Sequence, residues 1–432
     1  MKIKTKELSY EKVIAQIAEH RIRPRRPNPA LRWLIGAASK GELKRVNFTY
    51  EMLGMERLGR DEPCLILMNH SSFIDLKIAS VIFADRPFNI VCTADGFVGK
   101  SLLMQHIGCI PTNKFITDVA LVKSMVYAVK NLKDSILMYP EASYSFDGTA
   151  TPLPDNIGKC IKLLKVPVIM VRTYGAFQRD PLYNNLQVRD VKVSADVEYV
   201  LSPEEIAAKS PEEIKAIMDE KFSFDHFRWQ EENQVVVDED FRADYLNRVL
   251  YKCPDCLTEG KMVGKGIYLT CSACGKKYEL TEIGKLRALE GKARFEHIPQ
   301  WYAWQRECVR RELKEKIYHM KAEVDICMMV NMKCLYKVGT GILEHGIGGF
   351  HLQGCDGKIE FSQAPQSSYS LYADYFWYEI GDVICIGDHR VLYYCFPKNC
   401  GDIVAKTRLA TEELYKLVKE QKGAKRDVLC TG

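Results

Sequence analysis

The chain has 432 residues, 47% of them hydrophobic and 27% charged, which is ordinary for a soluble globular protein and leaves room for two or three domains. No stretch approaches the roughly 18 uninterrupted apolar residues of a membrane-spanning helix, and the first residues lack the apolar core of a secretory signal, so we expect neither feature. The net charge of +5 is modest, but residues 1–60 carry 14 Lys and Arg against 6 Asp and Glu, a distribution that attracts anionic surfaces.

Residues 1–44 are predicted to form an amphipathic helical segment. Val13, Ile14 and Ile17 fall on one stripe of a helix, and Trp33 lies in a second short apolar run flanked by basic residues. Such a segment suits either the interface of an anionic membrane, with Trp33 at the depth of the headgroups, or packing against the core of a domain.

Residues 45–200 alternate short apolar runs with helical patterns, which predicts an α/β fold with a layered sheet. The predicted strands are Cys64–Met68, Phe88–Cys92, Ser135–Tyr139, Val166–Arg172 and Val191–Val200. The first three end in polar clusters rather than in simple turns. Because catalytic groups of open α/β sheets collect at strand ends, we expect functional residues in these clusters.

The first polar cluster follows Met68 and contains His70 and Asp75. If Ser71 or Ser72 caps the next helix, the two side chains lie close enough to meet. A carboxylate on one imidazole nitrogen fixes the tautomer and leaves the other nitrogen to accept a proton, as activation of a hydroxyl for attack on a thioester requires. Taken alone, the pair is close to what chance gives in a chain of this size and favours a capping histidine and a surface aspartate.

Three further blocks follow in order: Gly108-Cys-Ile-Pro-Thr-Asn-Lys114, Tyr139-Pro-Glu-Ala-Ser-Tyr-Ser145 and Val166-Pro-Val-Ile-Met-Val171. Together with the His70 block they resemble the four sequence blocks of the glycerolipid acyltransferase family, which includes lysophosphatidate acyltransferase. The resemblance covers roughly residues 45–200. Each block is weak evidence by itself, whereas the ordered set is specific.

The resemblance implies an O-acyltransferase of phospholipid biosynthesis, acting at the cytoplasmic face of a membrane. It would move a fatty acyl group from a thioester of coenzyme A or acyl carrier protein to the hydroxyl of a lysophospholipid resembling 1-acyl-glycerol 3-phosphate. His70 is implied as the general base and Asp75 as its orienting partner, with direct attack and no acyl-enzyme. The residues implied to bind substrate are Asn69, Lys114, Glu141 and Ser143.

The chain departs from the family pattern at three positions. Lys114 stands where the family has a phosphate-binding arginine, Ala142 where it has a glycine, and Tyr144 where it has a second arginine. One lysine grips a doubly charged phosphomonoester less firmly than two arginines, so a phosphodiester or another acceptor stays open. A lipid-binding or regulatory protein that uses the acyltransferase fold without turnover is the alternative from another functional class.

Residues 201–250 are predicted to form an acidic helical connector. Residues 202–240 hold 12 acidic and 4 basic side chains. Ser202 and Ser210 each precede Pro-Glu-Glu, which predicts two helices that begin with proline and a capping box.

Residues 251–282 are predicted to form a zinc ribbon. Two C-x-x-C units, Cys253 with Cys256 and Cys271 with Cys274, have the spacing of a closed tetrahedral site of four thiolates. We expect a structural Zn²⁺ here, while a nucleic-acid or partner adaptor is the competing role. The other cysteines of the 16 lie among apolar residues, which indicates reduced thiols in the cytoplasm.

Two regions complete the sequence. Residues 283–325 are predicted to be helical, with one long helix from about Leu286 to Ala322. Residues 326–432 are predicted to form a small β-rich domain with a terminal helix, because this region is rich in Tyr, Val, Ile and Gly and contains strand-like runs.

Overall fold

The computed structural model of the protein describes residues 2–17, 22–115, 118–398 and 403–430, with side chains as far as residue 422. The chain groups into two compact units. One, which we call the parallel-sheet unit, comprises residues 20–182 and 186–237. The other, the antiparallel-sheet unit, comprises residues 1–19, 183–185 and 238–432.

Strand β1 (Thr5–Glu7) and helix α1 (Tyr10–Ile14) come first and belong to the antiparallel-sheet unit. The strands of the parallel-sheet unit are β2 (Thr49–Leu53), β3 (Leu65–Met68), β4 (Phe88–Thr93), β5 (Cys109–Thr112), β6 (Ser135–Met138), β7 (Val168–Tyr174) and β8 (Ser194–Leu201). Its helices are α2 (Pro29–Arg45), α3 (Asp75–Ile82), α4 (Ser101–Ile107), α5 (Val119–Tyr127), α6 (Ile157–Leu164), α7 (Ala176–Arg179), α8 (Pro203–Ala208), α9 (Pro211–Phe222) and α10 (His226–Glu232).

The seven strands of this unit form one sheet in the order β2-β8-β7-β3-β6-β4-β5. Strands β3 to β7 run parallel to one another, while β8 runs antiparallel to β7. The predicted α/β fold is therefore confirmed, and the five predicted strands are present with ends shifted by at most three residues. Because β3 and β6 are parallel neighbours, the loops that follow them lie at the same edge of the sheet.

Burial and capping explain why this unit folds as it does. All four residues of β3 are buried, as the central strand of a parallel sheet covered on both faces requires. Helix α2 begins with Pro29, and Asn28 accepts the backbone N–H groups of Ala30 and Leu31. Both predicted capping boxes are confirmed at the starts of α8 and α9.

The antiparallel-sheet unit holds two sheets. One is a four-stranded sheet in the order β12-β11-β10-β9, and the other is an eight-stranded sheet with the path β16-β15-β14-β13-β19-β18-β17 and β1 beside β14. The strands are β9 (Met262–Lys265), β10 (Tyr268–Cys271), β11 (Lys277–Leu280), β12 (Leu286–Ala288), β13 (His319–Met329), β14 (Leu335–Gly346), β15 (Gly349–Gly354), β16 (Ile359–Gln363), β17 (Tyr372–Trp377), β18 (Gly381–Gly387) and β19 (Leu392–Pro397). The helices are α11 (Ile298–Lys314) and α12 (Ile403–Cys430).

Two predicted helices are shorter than the sequence pattern indicated. The long helix expected from about Leu286 to Ala322 is helical only over α11, because its first residues form β12 and its last residues belong to β13. Strand β13 alternates more exposed and buried side chains from His319 to Asp325, a period of two that the charged residues of this stretch disguised. The N-terminal segment predicted to be helical over residues 1–44 contains α1 and nearly all of α2, but it also contains strand β1, and its residues 1 and 18–21 lie outside the described part of the chain.

Candidate active site

His70 and Asp75 meet at the carboxyl end of β3. The Nδ1 atom of His70 lies 3.2 Å from Oδ2 of Asp75, which is the first residue of α3 and is 1% exposed. The same carboxylate oxygen accepts the backbone N–H groups of Ser71 at 2.9 Å and Ser72 at 3.1 Å. Because an ionised carboxylate only accepts hydrogen bonds, His70 donates from Nδ1, and its Nε2 is left as the acceptor.

Aromatic rings cover the His70 imidazole. The ring of Tyr139 stacks on it with the centroids 4.3 Å apart, and the ring of Tyr144 with the centroids 3.9 Å apart. The His70 side chain is 19% exposed, and none of the residues that the structure describes hydrogen-bonds to its Nε2. The base nitrogen is therefore available to an incoming hydroxyl, while stacking holds the ring plane.

Burial sets the protonation state of His70. Loss of hydration lowers the pKa of His70 below its ordinary value, and the Lys114 ammonium acts in the same direction. The Asp75 carboxylate opposes this shift without overcoming it. The imidazole is therefore neutral at neutral pH, as a general base must be before it takes a proton.

Two of the predicted substrate-binding side chains hold the loop that carries His70. Glu141 accepts the backbone N–H of His70 at 3.0 Å through one carboxylate oxygen and that of Thr151 at 2.8 Å through the other. Asn69 accepts the backbone N–H of Thr173 at 2.9 Å. These bonds fix the backbone around the base, and contact of Glu141 and Asn69 with a substrate stays a prediction.

The other two predicted substrate-binding residues lie in the loops after β5 and β6. Lys114 is half-buried and close enough to His70 to affect its pKa. Ser143 is buried and donates its hydroxyl to the carbonyl oxygen of Tyr144 at 3.3 Å. Ala142, which directly precedes Ser143, has a φ of 55°, in the left-handed region that favours the glycine found at this position in the resembling family.

Comparison with known proteins identifies this part of the chain. Residues 49–173 match the protein-family model described as Acyltransferase. Residues 49–173 form an acyltransferase domain. The matched stretch includes the His70 loop, Lys114 and the loop of Glu141 and Tyr144, all of which were placed in the family's blocks from the sequence.

A solved structure and the curated proteins complete the comparison. The chain resembles the crystal structure of the 1-acyl-sn-glycerophosphate (LPA) acyltransferase from Thermotoga maritima, with 16% sequence identity and a TM-score of 0.37. That match covers 44% of this chain and 76% of the Thermotoga chain. No curated protein sequence matches the chain. Among the described residues, no helix has both the length and the apolar character needed to cross a bilayer.

The sequence did not predict a buried ionic network that lies behind His70 and Asp75. The Ser72 hydroxyl donates to Asp180, whose carboxylate also accepts from Arg179 at 2.9 Å. Arg179 reaches Glu42 of α2 at 2.6 Å. Burial raises the pKa of Asp180 to about 7. The adjacent charges of residues 179 and 180 after β7 were the only local signal, and they resemble an ordinary surface turn.

The four predicted metal ligands meet in the antiparallel-sheet unit. The sulfur atoms of Cys253, Cys256, Cys271 and Cys274 all lie within 4.8 Å of one another. The Cys253–Cys274 sulfur distance is 3.8 Å, and the Cys256–Cys271 distance is 3.7 Å. A tetrahedron with metal–sulfur bonds of about 2.3 Å has edges of about 3.8 Å, so the arrangement fits a metal ion held by four thiolates.

Proposed function

We propose that the acyltransferase domain transfers a fatty acyl group from an acyl thioester to the hydroxyl of a lysophospholipid, such as 1-acyl-glycerol 3-phosphate, in phospholipid biosynthesis. The observation that carries the proposal is the 3.2 Å contact between His70 Nδ1 and Asp75 Oδ2, which sets the tautomer with a basic Nε2. The donor is an acyl thioester of coenzyme A or of acyl carrier protein.

In the proposed reaction, Nε2 of His70 removes the proton of the acceptor hydroxyl as its oxygen attacks the thioester carbonyl. Asp75 stabilises the imidazolium that forms, because its carboxylate is already held by the ring and two backbone N–H groups. The carbon–sulfur bond then breaks, and the departing thiolate takes the proton from His70. The products are the ester and the free thiol, with no covalent enzyme intermediate.

Lys114 supplies the positive charge for the acceptor phosphate in this proposal. It lies near the base, so an acceptor phosphate bound to its ammonium would place a glycerol hydroxyl close to His70. As a point donor rather than a planar fork, lysine fixes the phosphate less rigidly than arginine does. Glu141, Asn69 and Ser143 contribute by shaping the loops on either side.

Helix α2 suits contact with an anionic membrane on the cytoplasmic side. Trp33 is 74% exposed and Leu34 is 55% exposed, and the same helix carries Lys40, Lys44 and Arg45. We expect the protein to sediment with vesicles that contain phosphatidylglycerol and to do so less after Trp33→Glu. Equal sedimentation of wild type and variant would contradict this role.

The four-cysteine cluster is proposed to hold a structural Zn²⁺. Four thiolates fill a tetrahedral site and leave no open position for a substrate. Trp301 of α11 donates its indole N–H to the carbonyl oxygen of Lys252 at 2.9 Å, and Gln305 accepts the Lys252 N–H at 3.0 Å. The knuckle that begins at Cys253 is thus tied to α11 through two buried side chains, as a structural site requires.

Acyl transfer from a labelled acyl thioester to a panel of lysophospholipids tests the enzymatic proposal. His70→Ala should lower turnover by at least about 10²-fold, because it removes the general base. His106→Ala is the matched control, since His106 is also a half-buried histidine of the same domain but lies on α4. Retained activity in His70→Ala would refute the mechanism. A folded wild type that is inactive with every acceptor would favour the non-catalytic lipid-binding alternative.

A further inference from the structure

His226 lies behind the His70–Asp75 pair and comes from outside residues 49–173. It is the first residue of α10, is 4% exposed, and its Nε2 lies 3.2 Å from the hydroxyl oxygen of Ser71. Its backbone N–H donates to the carbonyl oxygen of Gly148 at 2.9 Å, and its own carbonyl accepts from the Gln178 amide at 2.5 Å. The ring therefore has a fixed position against the loop that carries the base.

The hydrogen-bond directions around Ser71 follow from Asn69. The Asn69 carbonyl oxygen accepts the backbone N–H of Thr173, so its NH₂ group faces Ser71 and donates to the Ser71 hydroxyl oxygen at 2.9 Å. That oxygen keeps its own hydrogen for a second partner. His226 Nε2 lies 3.2 Å from that oxygen and accepts this hydrogen in the tautomer whose ring proton is on Nδ1.

Two buried atoms near the hydrogen bonds of Ser71 lack partners among the described residues. They are Nδ1 of His226 and Oδ1 of Asp75. A buried polar atom without a partner is uncommon because it loses its hydration without compensation. The unpaired Asp75 oxygen is the natural target of any further donor nearby, and Ser71 is the residue whose backbone already binds the other oxygen of that carboxylate.

We propose that His226 is a positioning residue of this active site, where it takes the Ser71 hydroxyl hydrogen as a neutral acceptor and keeps that hydroxyl off the Asp75 carboxylate. The charge of Asp75 then remains available to the His70 imidazolium. The catalytic effect of His226 rests on the proposed function. The hydrogen-bond arrangement is argued only from the distances around Ser71.

His226 stays neutral in this role. Burial lowers the pKa of His226 to about 3, and the Arg172 guanidinium acts in the same direction. Phe177 stacks near its ring at 5.4 Å between centroids, and Phe224 meets it edge to face at 4.7 Å. These apolar neighbours offer nothing to stabilise an imidazolium, so the ring accepts a hydrogen bond across the working pH range.

The charged and titratable groups around His70 and Asp75, with Asp75 itself among them, come from several elements. They are Asp75 at the start of α3, Lys114 after β5, Tyr139, Glu141 and Tyr144 after β6, and Asp180 after β7. None of the substitutions below alters one of them. A change in the pKa of His70 in these variants therefore reports which acceptor the Ser71 hydroxyl donates to.

The pKa of His70 in the full-length protein, measured from its imidazole resonances without substrate, is the direct test. In His226→Phe the released Ser71 hydroxyl turns to Asp75, shares its charge and lowers the pKa of His70. The acid limb of kcat/KM shifts to lower pH, and kcat falls roughly tenfold, a size typical of lost outer-shell contacts. In His226→Gln the amide oxygen accepts the same hydrogen, and both quantities stay near wild type.

Ser71→Ala separates this arrangement from a merely structural role. If the hydroxyl points to His226, its removal leaves the pKa of His70 unchanged, and adding His226→Phe has no further effect on that pKa. A pKa that rises in Ser71→Ala shows that the hydroxyl already binds Asp75 and overturns the inference. So does an unchanged pKa in a folded His226→Phe. Absence of turnover in wild type would instead refute the proposed function, and the resonance measurement would still decide the role of His226.

Discussion

Tyr144 stacks on His70 with the ring centroids 3.9 Å apart and the ring planes 27° apart. Phe73, which is 47% exposed, lies against Tyr144 with the ring centroids 5.4 Å apart. An aromatic surface therefore borders the base where the resembling family places a basic side chain. Such a surface gives no charge to a phosphate and keeps the imidazole plane in place.

Tyr144→Arg tests what this ring does for acceptor choice. An arginine at this position adds a second cation beside Lys114, and a hydrogen bond to a charged group contributes about 1.5 kcal/mol or more. We expect the ratio of kcat/KM for lysophosphatidate to that for lysophosphatidylcholine to rise at least about tenfold, which corresponds to that energy. The ratio within each variant is compared, so a general loss of activity cancels.

Tyr144→Phe is the matched control for that substitution. It keeps the stacking on His70 and adds no charge, so the acceptor ratio should remain that of wild type. An unchanged ratio in an active Tyr144→Arg would show that the phosphate does not approach residue 144.

Lys114→Gln should move the pH dependence of the reaction. The Lys114 ammonium lowers the pKa of His70, so its removal raises that pKa. His70 acts as the neutral base, and activity is lost as the pH falls through its pKa. The acid limb of kcat/KM therefore shifts to higher pH in Lys114→Gln and stays in place in Lys114→Arg, as initial rates across pH would measure. A shift to lower pH in Lys114→Gln would contradict the electrostatic effect of Lys114 on His70.

The sheet of the parallel-sheet unit was predictable because its central strands carry an unambiguous signal. Strand β3 is a run of buried apolar residues that ends in a polar cluster, and its observed bounds differ from the predicted ones by one residue. Strand β2 was missed because all five of its side chains are exposed, and β5 because Pro111 lies inside it. Exposed edge strands lack the alternation on which sequence patterns depend.

The candidate site was predictable only in part, because some of its contacts join residues that are far apart along the chain. His70 and Asp75 are five residues apart, so local geometry alone brings them together. His226 and Ser71 are 155 residues apart along the chain, and nothing in the local pattern of either one refers to the other. The part of the site that comes from α10 depends on tertiary packing and could not be read from the sequence.

Gly158→Ala should destabilise the parallel-sheet unit. A Cβ atom at Gly158 would lie 1.9 Å from the backbone carbonyl oxygen of Pro211, so α6 and α9 would have to separate. We expect the free energy of unfolding to fall by about 2 kcal/mol or more, as overpacking of a tight contact does. Urea unfolding followed by circular dichroism measures the change.

Gly41→Ala is the matched control on a helix of the same unit. No atom lies within 4 Å of a Cβ placed at Gly41, so only the helix propensity changes. The substitution should raise the free energy of unfolding by up to about 1 kcal/mol. Equal effects of the two substitutions would show that the α6–α9 contact is not as close as the structure has it.

Cys256→Ser tests the proposed metal site. If four thiolates bind one Zn²⁺, wild type purified without chelators should contain about one zinc per chain, as a closed structural site does. Cys256→Ser should release the metal and lower the free energy of unfolding of the antiparallel-sheet unit by more than about 3 kcal/mol, because loss of a metal is among the most destabilising changes. Elemental analysis and urea unfolding measure the two quantities.

Cys355→Ser separates loss of metal from loss of a thiol. Cys355 is also half-buried and lies in the same unit, but it is not part of the four-cysteine cluster. Its substitution should leave the zinc content unchanged and cost about 1 kcal/mol or less. Because Trp301 and Gln305 hold the backbone of Lys252 beside Cys253, zinc loss should also change the tryptophan fluorescence, and Cys355→Ser should not. Wild type without zinc, or a Cys256→Ser variant as stable as wild type, would refute a structural metal at this site.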